Sequence, residues 1–173
     1  TQDFSLGVEP RFNESGEVAP SRLELVAGGK LAATLVSARS EKQFGTASNA
    51  APEGEELRSA AIGPGELDEG KALEALGTGL YLSNLHYLNW SGVESARVTG
   101  MTRFACFWVE DSRIVAPIKD MRFDESLYRA FAEKLEALTV QRSLVVDTMT
   151  YGERALGGSL LPGILVRDMT FTL

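Results

Sequence analysis

The sequence predicts an α+β fold, with a largely antiparallel β-sheet or sandwich and two interspersed helices. Three observations support this prediction. Two segments have the pattern of β-hairpins, predicted strands outnumber predicted helices, and 173 residues with 44% hydrophobic side chains are enough for one packed core. We therefore expect a single domain over residues 1–173.

The two hairpins are predicted from their turns. Residues 22–27 alternate as a strand, Gly28 and Gly29 supply a tight turn, and residues 30–36 return. The second hairpin runs over 103–110, turns at Asp111-Ser112 and returns over 113–118. Because apolar side chains point to both faces of 103–110, we expect this strand to be buried on both sides.

The remaining elements follow from periodicity and end signals. A short helix is expected over 64–76, with proline at its start and Gly77 after its end. A second helix is expected from Asp124 as N-cap through Leu138, with leucines and a phenylalanine along one face. The other predictions are a strand over 80–88, a loop over 89–92, a glycine-rich loop over 152–159, and strands over 143–149 and 164–173.

Charge and cysteine content exclude several classes of function. A net charge of -7 argues against nucleic acid, whose binding depends on Lys and Arg contacts to phosphates. Residues 51–66 are predicted to form an acidic surface loop, with an acidic recognition site as the alternative. No apolar run is long enough to span a membrane, and a lone Cys106 fits a reducing, cytoplasmic setting. The start at Thr1 fits a processed protein or a fragment.

No catalytic residue is predicted within this chain. His86 is its one histidine and Cys106 its one cysteine, and they are the only candidate soft metal ligands. No HExxH or CxxC spacing surrounds them, so structural roles are the better interpretation. Cys106 has no neighbouring base that would make it a nucleophile.

A small set of polar and aromatic residues could bind a peptide. They surround a predicted strand end and loop, where binding groups are often held on a rigid scaffold. Arg103 could bind a substrate carboxylate or a buried acid. Core packing and turn capping are the alternative roles for the others. The candidates are Tyr81, Asn84, Asn89, Trp90 and Arg103.

Six segments, in order, resemble motifs of the TldD/PmbA family, also called the modulator of DNA gyrase family. The most specific is FWVEDSRIVAPI at 107–118, similar to the family's F-W-I-E-N-G-E-I-x-x-P-V. The others are FNESGEV at 12–18, LELVAGGKL at 23–31, GTASNA at 45–50, GLYL at 79–82 and PGILVRDMT at 162–170.

The resemblance implies that this chain is the C-terminal domain of a protein more than twice as long. Catalytic family members are bacterial zinc peptidases that carry HExxxH on an upstream helix and a cysteine near the C-terminus. No cysteine occurs in 152–163. The isolated chain is therefore expected to need no cofactor and to be non-catalytic, while zinc remains possible in the full-length parent.

The resemblance also implies a role in peptide proteolysis or maturation, with this domain forming the cleft wall and dimer contacts. The expected partners are a peptide or unfolded protein segment and a homodimeric or heterodimeric TldD/PmbA-type subunit. Two alternatives stay open. The chain could belong to a metal-free partner subunit, or it could be a β-rich peptide-binding module without peptidase activity. The gyrase name is not a predicted function.

Overall fold

The computed structural model describes residues 1–152 and 154–172. It confirms the α+β class, with mostly antiparallel strands and few helices. The described chain divides into two compact units. The first comprises 1–63 and 142–161, and the second comprises 64–141 and 162–173. The prediction of a single domain stays a prediction.

The first unit is built on a five-stranded sheet in the order β12-β13-β5-β1-β2. β1 is antiparallel to β2 and β5, whereas β5 and β13 are parallel. Phe4, Ala19 and Ala50 form a buried cluster in this unit. The strands are β1 Gln2–Asp3, β2 Arg22–Leu23, β5 Ser59–Ala61, β12 Leu135–Val146 and β13 Gly158–Val166, of which the last two continue into the second unit.

A small hairpin and a helix complete the first unit. β3, Val26–Ala27, pairs with β4, Lys30–Leu31, across Gly28 and Gly29, which both have positive φ. The first predicted hairpin is thus confirmed in a shorter form. Helix α1, Ala38–Phe44, begins at the N-cap Ser37, whose hydroxyl accepts the Ser40 N–H. This helix was not predicted from the sequence.

The second unit contains two antiparallel sheets. One has the order β10-β9-β6, and the other has the order β14-β11-β8-β7. Its helical segments are a 3₁₀ turn at Glu69–Lys71, α2 at Ala72–Leu76 and a π-helical turn at Arg129–Glu133. The strands are β6 Gly79–Leu82, β7 Leu85–Gly92, β8 Arg97–Thr102, β9 Cys106–Glu110, β10 Arg113–Pro117, β11 Arg122–Ser126 and β14 Phe171–Thr172.

The second predicted hairpin is confirmed as β9 and β10. Asp111 and Ser112 form its turn, with φ of 46° and 63°. The prediction that this strand is buried on both sides is wrong, because Trp108 is 38% exposed while Cys106 and Val109 are buried. A three-stranded sheet leaves part of one face open to solvent.

The helix predicted from Asp124 to Leu138 is wrong. Asp124 lies in β11, which pairs with β8, and the chain enters β12 at Leu135 after one π-helical turn. Phe123 is buried opposite Gly100, whose missing side chain leaves room for the aromatic ring. This pairing between distant segments overrides the local helical pattern.

The strand predicted over 80–88 is two strands, β6 and β7, in different sheets. The loop predicted over 89–92 is wrong, because these residues continue β7 and pair with β8. The register shifts between His86 and Asn89, and Tyr87 has a positive φ of 51°. A β-bulge at this point therefore lets β7 continue through residues 89–92, which were predicted to form a loop.

Other boundaries also differ from the predictions. The helix expected over 64–76 is reduced to the 3₁₀ turn and α2, and Gly77 follows its end as predicted. The strands expected over 143–149 and 164–173 correspond to parts of β12, β13 and β14. The glycine-rich loop ends before Gly158, where β13 begins. Glu153 of that loop and Leu173 of the last strand lie outside the described residues.

The acidic segment 51–66 is not a loop throughout. Its glutamates at 53, 56 and 66 are exposed, but Ser59–Ala61 forms β5 inside the five-stranded sheet. Small side chains fit this position, where Ser59 is fully buried. In the described part of the chain, no helix is long and apolar enough to cross a membrane.

Candidate functional site

A cavity of about 770 Å³ lies within the first unit. Its wall comes from four segments, within 9–14, 52–58, 145–148 and 156–159. It therefore lies where β12 ends and where β13 and β5 begin. The volume is within the usual range for small-ligand sites, roughly 300–1,000 Å³.

Glycine at 157 lets the wall close around this cavity. Gly157 has a φ of +114°, which side-chain-bearing residues rarely adopt. A Cβ added there would lie 2.9 Å from the Arg58 carbonyl oxygen and 3.3 Å from Glu9 Oε2. The Gly157 N–H donates to the Val8 carbonyl at 3.1 Å. A larger residue at 157 would push these segments apart.

The Asn13 side chain fixes the loop on one side of the cavity. Its Oδ1 accepts the backbone N–H groups of Ser15 and Glu17, each at 3.0 Å. Its Nδ2 donates to Glu17 Oε2 at 2.9 Å and to the Ala51 carbonyl at 3.3 Å. Asn13 is buried and uses its hydrogen-bonding capacity within the loop, so it has a structural role.

Arg58 is the buried cation of the cavity wall. Its side chain is only 9% exposed, and its guanidinium carbon lies 4.8 Å from the centre of the Phe4 ring. Nη1 donates to the Phe12 carbonyl at 3.0 Å and lies 3.4 Å from the Pro10 carbonyl. Nε and Nη2 are buried and have no hydrogen-bond partner among the described residues.

Glu9 is the acid closest to this arginine. Its Oε1 lies 3.5 Å from Arg58 Nη1, and its side chain is 15% exposed. Burial raises the pKa of the Glu9 carboxyl, while the charge of Arg58 opposes that rise and Glu56 adds to it. The ionised pair is therefore poorly matched, because charge-assisted hydrogen bonds are usually about 2.7–2.9 Å long.

Three further acids line the cavity at exposed positions. Glu14, Glu56 and Asp147 are in contact with solvent, so water and salt screen their charges. The Asp147 carboxylate also accepts the Met149 N–H at 2.9 Å. Arg58 and Glu9 are thus the least exposed charged side chains of the described wall.

A strand edge lies beside the cavity. β12 is the outermost strand of the five-stranded sheet. Near its middle, Leu67 bridges to Thr139 and the Val140 N–H donates to the Leu67 carbonyl, so among the described residues the edge is unpaired only over 142–146. Its last residues, Val145 and Val146, are cavity-lining residues. Leu144, Val145 and Val146 are all about half exposed. Exposed apolar side chains on an unpaired strand edge are a recognised site of strand addition.

The residues predicted to bind peptide all lie in the second unit and do not form one cluster. Tyr81 is partly exposed in β6, whereas Asn89 and Trp90 are exposed in β7 of the other sheet. The Arg103 N–H donates to the Asn84 carbonyl at 3.3 Å, and the Asn89 Oδ1 accepts the N–H of its neighbour Trp90 at 2.9 Å. Their binding role stays a prediction.

His86 and Cys106 occupy ordinary structural positions. His86 lies in β7 opposite Met101, with its ring 4.4 Å from that of Tyr87. Cys106 is buried in β9, and its thiol donates to the Arg103 carbonyl at 3.2 Å. No group of three metal-ligating side chains occurs among the described residues.

Arg58 and Glu9 were not predicted from the sequence as site residues. Arg58 was visible only as the single cation of the acidic segment 51–66, and Glu9 stood in a polar stretch without periodicity. A cation immediately before the small, strand-forming residues 59–61 is the one signal that could have indicated a buried arginine.

The fold is similar to that of a solved structure, TldE from Thermococcus kodakarensis. The TM-score is 0.71 at 12% sequence identity, over 94% of this chain and 36% of that chain. At this identity the likeness shows a shared fold, and this chain spans about a third of that protein. The search of curated proteins found no match.

The family model described as the PmbA/TldA metallopeptidase C-terminal domain matches residues 2–173. The chain belongs to this family. The resemblance drawn from the sequence motifs is therefore confirmed.

Proposed function

We propose that this chain is a non-catalytic C-terminal domain of a PmbA/TldD-type protein and that it holds an extended peptide along the free edge at the end of β12, residues 142–146. The family match and the unpaired apolar edge support this proposal. The edge is the observation that carries it, because a strand edge can bind backbone of almost any sequence.

Backbone directions in β12 identify the groups that would pair with a peptide. The Asp147 N–H donates to the Gly157 carbonyl, so Asp147 points towards the β13 side. Since direction alternates along a strand, Val145 points the same way, while Leu144 and Val146 point to the free edge. A Cβ on Gly158 would lie 2.8 Å from the Val145 carbonyl oxygen, in agreement with this assignment.

Catalysis and metal binding would belong to other parts of the full-length protein. The cavity wall contains carboxylates and one arginine but neither histidine nor cysteine. We propose that zinc, where the parent binds it, is held outside this domain, and that this domain contributes a wall of the peptide cleft. Cytoplasmic location and pairing with a second family subunit stay predictions of the resemblance.

The first test uses peptides whose backbone can pair on only one side. A fluorescein-labelled eight-residue Val/Thr peptide would be N-methylated at odd positions or at even positions, and its affinity for this chain measured by fluorescence anisotropy. N-methylation removes N–H donors from one edge of the peptide strand. We expect one methylated set to lose at least about tenfold in affinity, equal to about 1.4 kcal/mol, and the other set to bind like the unmodified peptide.

Two variants locate the binding edge on the protein. Val146→Pro removes an N–H that points to the free edge and leaves the β13 side intact, whereas Val146→Ala keeps that N–H. The proline variant should lose peptide binding, and the alanine variant should retain most of it. Equal binding of both methylated sets to the wild-type chain, or undiminished binding by the proline variant, would refute the proposal.

A further inference from the structure

Arg58 has two hydrogen-bond donors that no described residue uses. Nε and Nη2 lie on the same edge of the planar guanidinium, and together they form a fork that matches both oxygens of a carboxylate. Buried polar groups are nearly always paired, so such a fork indicates a missing partner, either an ordered water or a ligand. The 770 Å³ cavity beside Arg58 has room for a ligand.

Arg58 is held in place by groups that leave this fork free. Its Nη1 donates to the Phe12 carbonyl, and one face of the guanidinium lies against the Phe4 ring. These contacts fix the orientation of the planar group before a ligand binds. A donor pair that is already oriented loses little freedom on binding.

Glu9 is the group that a ligand would replace. It lies 3.5 Å from Nη1, too far for a good charge-assisted hydrogen bond, and it lines the same cavity. Because Nε and Nη2 are buried, a carboxylate reaches them only when part of the wall moves. Glu9 lies against the same guanidinium at Nη1 and lines the cavity, so it is the side chain whose displacement the inference requires. The exchange keeps a negative charge beside the buried arginine, so the cavity is never left with an uncompensated cation.

The free edge of β12 provides the path to this cavity. Val146 is the last residue of β12 and Asp147 comes directly after it, and both line the cavity. A peptide that runs parallel to β12 would bring its C-terminal end to Arg58. An antiparallel peptide would bring an ammonium group, which cannot use the arginine donors.

We propose that Arg58 binds the free C-terminal carboxylate of a peptide that lies parallel to β12, so that the domain selects peptides by their carboxyl end. This inference rests on the proposed function for its path along β12. The exposed acids Glu14, Glu56 and Asp147 make a second negative charge near the peptide end unfavourable. The substrate class is therefore a peptide with a free α-carboxylate and a last side chain that is not acidic.

The test compares one N-acetylated Val/Thr peptide as its C-terminal acid and as its C-terminal amide. Affinities would be measured by isothermal titration calorimetry on the wild-type chain and on Arg58→Gln, Arg58→Lys and Glu9→Gln. We expect the wild-type chain to prefer the acid by about tenfold or more. The preference should vanish in Arg58→Gln and shrink in Arg58→Lys, which keeps the charge but loses the fork.

The Glu9→Gln variant should change the affinity for the acid in the opposite direction to the Arg58 variants. Removing the competing carboxylate should tighten binding of the acid and leave the amide unchanged. If an Arg58 variant does not fold by circular dichroism, this gain still decides the question. Equal affinities of acid and amide for both wild-type and Glu9→Gln chains would overturn the inference and mean that water alone occupies the fork.

The two proposals fail in distinguishable ways. Acid and amide that bind equally, with sensitivity to N-methylation, would leave the β12 edge proposal standing and remove the role of Arg58. A preference for the acid without sensitivity to N-methylation would overturn pairing at β12 and, with it, the parallel path proposed here.

Discussion

Gly65 is a position where one added methyl group meets the backbone. A Cβ there would overlap the carbonyl oxygen of Leu138, and the Gly65 N–H donates to the Thr139 carbonyl at 2.9 Å. We expect Gly65→Ala to lower the free energy of unfolding by about 1–3 kcal/mol, because the backbone must shift. Urea denaturation would measure it. Gly63→Ala is the control, since no atom lies within 4 Å of its Cβ, and similar losses in both variants would contradict the prediction.

Glu55 makes the folding stability depend on pH in the acidic range. The backbone N–H of Ser37, and then the hydroxyls of Ser40 and Ser37, lower the pKa of the Glu55 carboxyl below its ordinary value of 4.5. The stabilisation is complete above that ordinary value and is lost as pH falls through the lowered pKa. Glu55→Gln should therefore flatten the loss of stability between about pH 5 and 3, measured by urea midpoints. Glu53→Gln, at an exposed position, should keep the wild-type slope.

At the scale of elements, the turn of the β9–β10 hairpin contains residues that are not the ones favoured at positive φ. Asp111 and Ser112 both have positive φ, which Asn-Gly adopts with less strain. We expect Asp111→Asn with Ser112→Gly to raise stability by about 0.5–1 kcal/mol, seen as a higher thermal midpoint, because the relieved left-handed strain exceeds the extra freedom that glycine gives the unfolded chain. The Ser112 N–H still donates to the Gly77 carbonyl at 2.7 Å. Ser83→Gly, outside such a turn, should instead lower the midpoint, and a gain there would argue against a turn-specific effect.

The hairpins could be predicted from sequence because their turn and both strands are adjacent in the chain. The helix predicted after Asp124 failed because Phe123 pairs with Gly100, 23 residues away, and no local pattern contains that information. The candidate site was missed for the same reason. Arg58 is buried by contacts with Phe4, Glu9 and Phe12, about 50 residues earlier, so its own neighbours in sequence do not show its burial.

At the scale of the whole molecule, charge and exposed apolar residues both constrain the function. The net charge of -7 predicts no nucleic-acid partner, and no basic residue besides Arg58 lines the described cavity. Exposed apolar residues on β12 lie beside that cavity. A peptide that binds mainly by its backbone and its carboxyl end satisfies both constraints, because it needs neither a basic surface nor a specific side chain.

The chain passes between the two units three times, after residues 63, 141 and 161. Two of these passages fall inside continuous strands, β12 and β13. Neither unit is therefore encoded by one uninterrupted stretch of gene. A single recombination event could not delete, duplicate or transfer one unit alone. We therefore expect the two units to be inherited together.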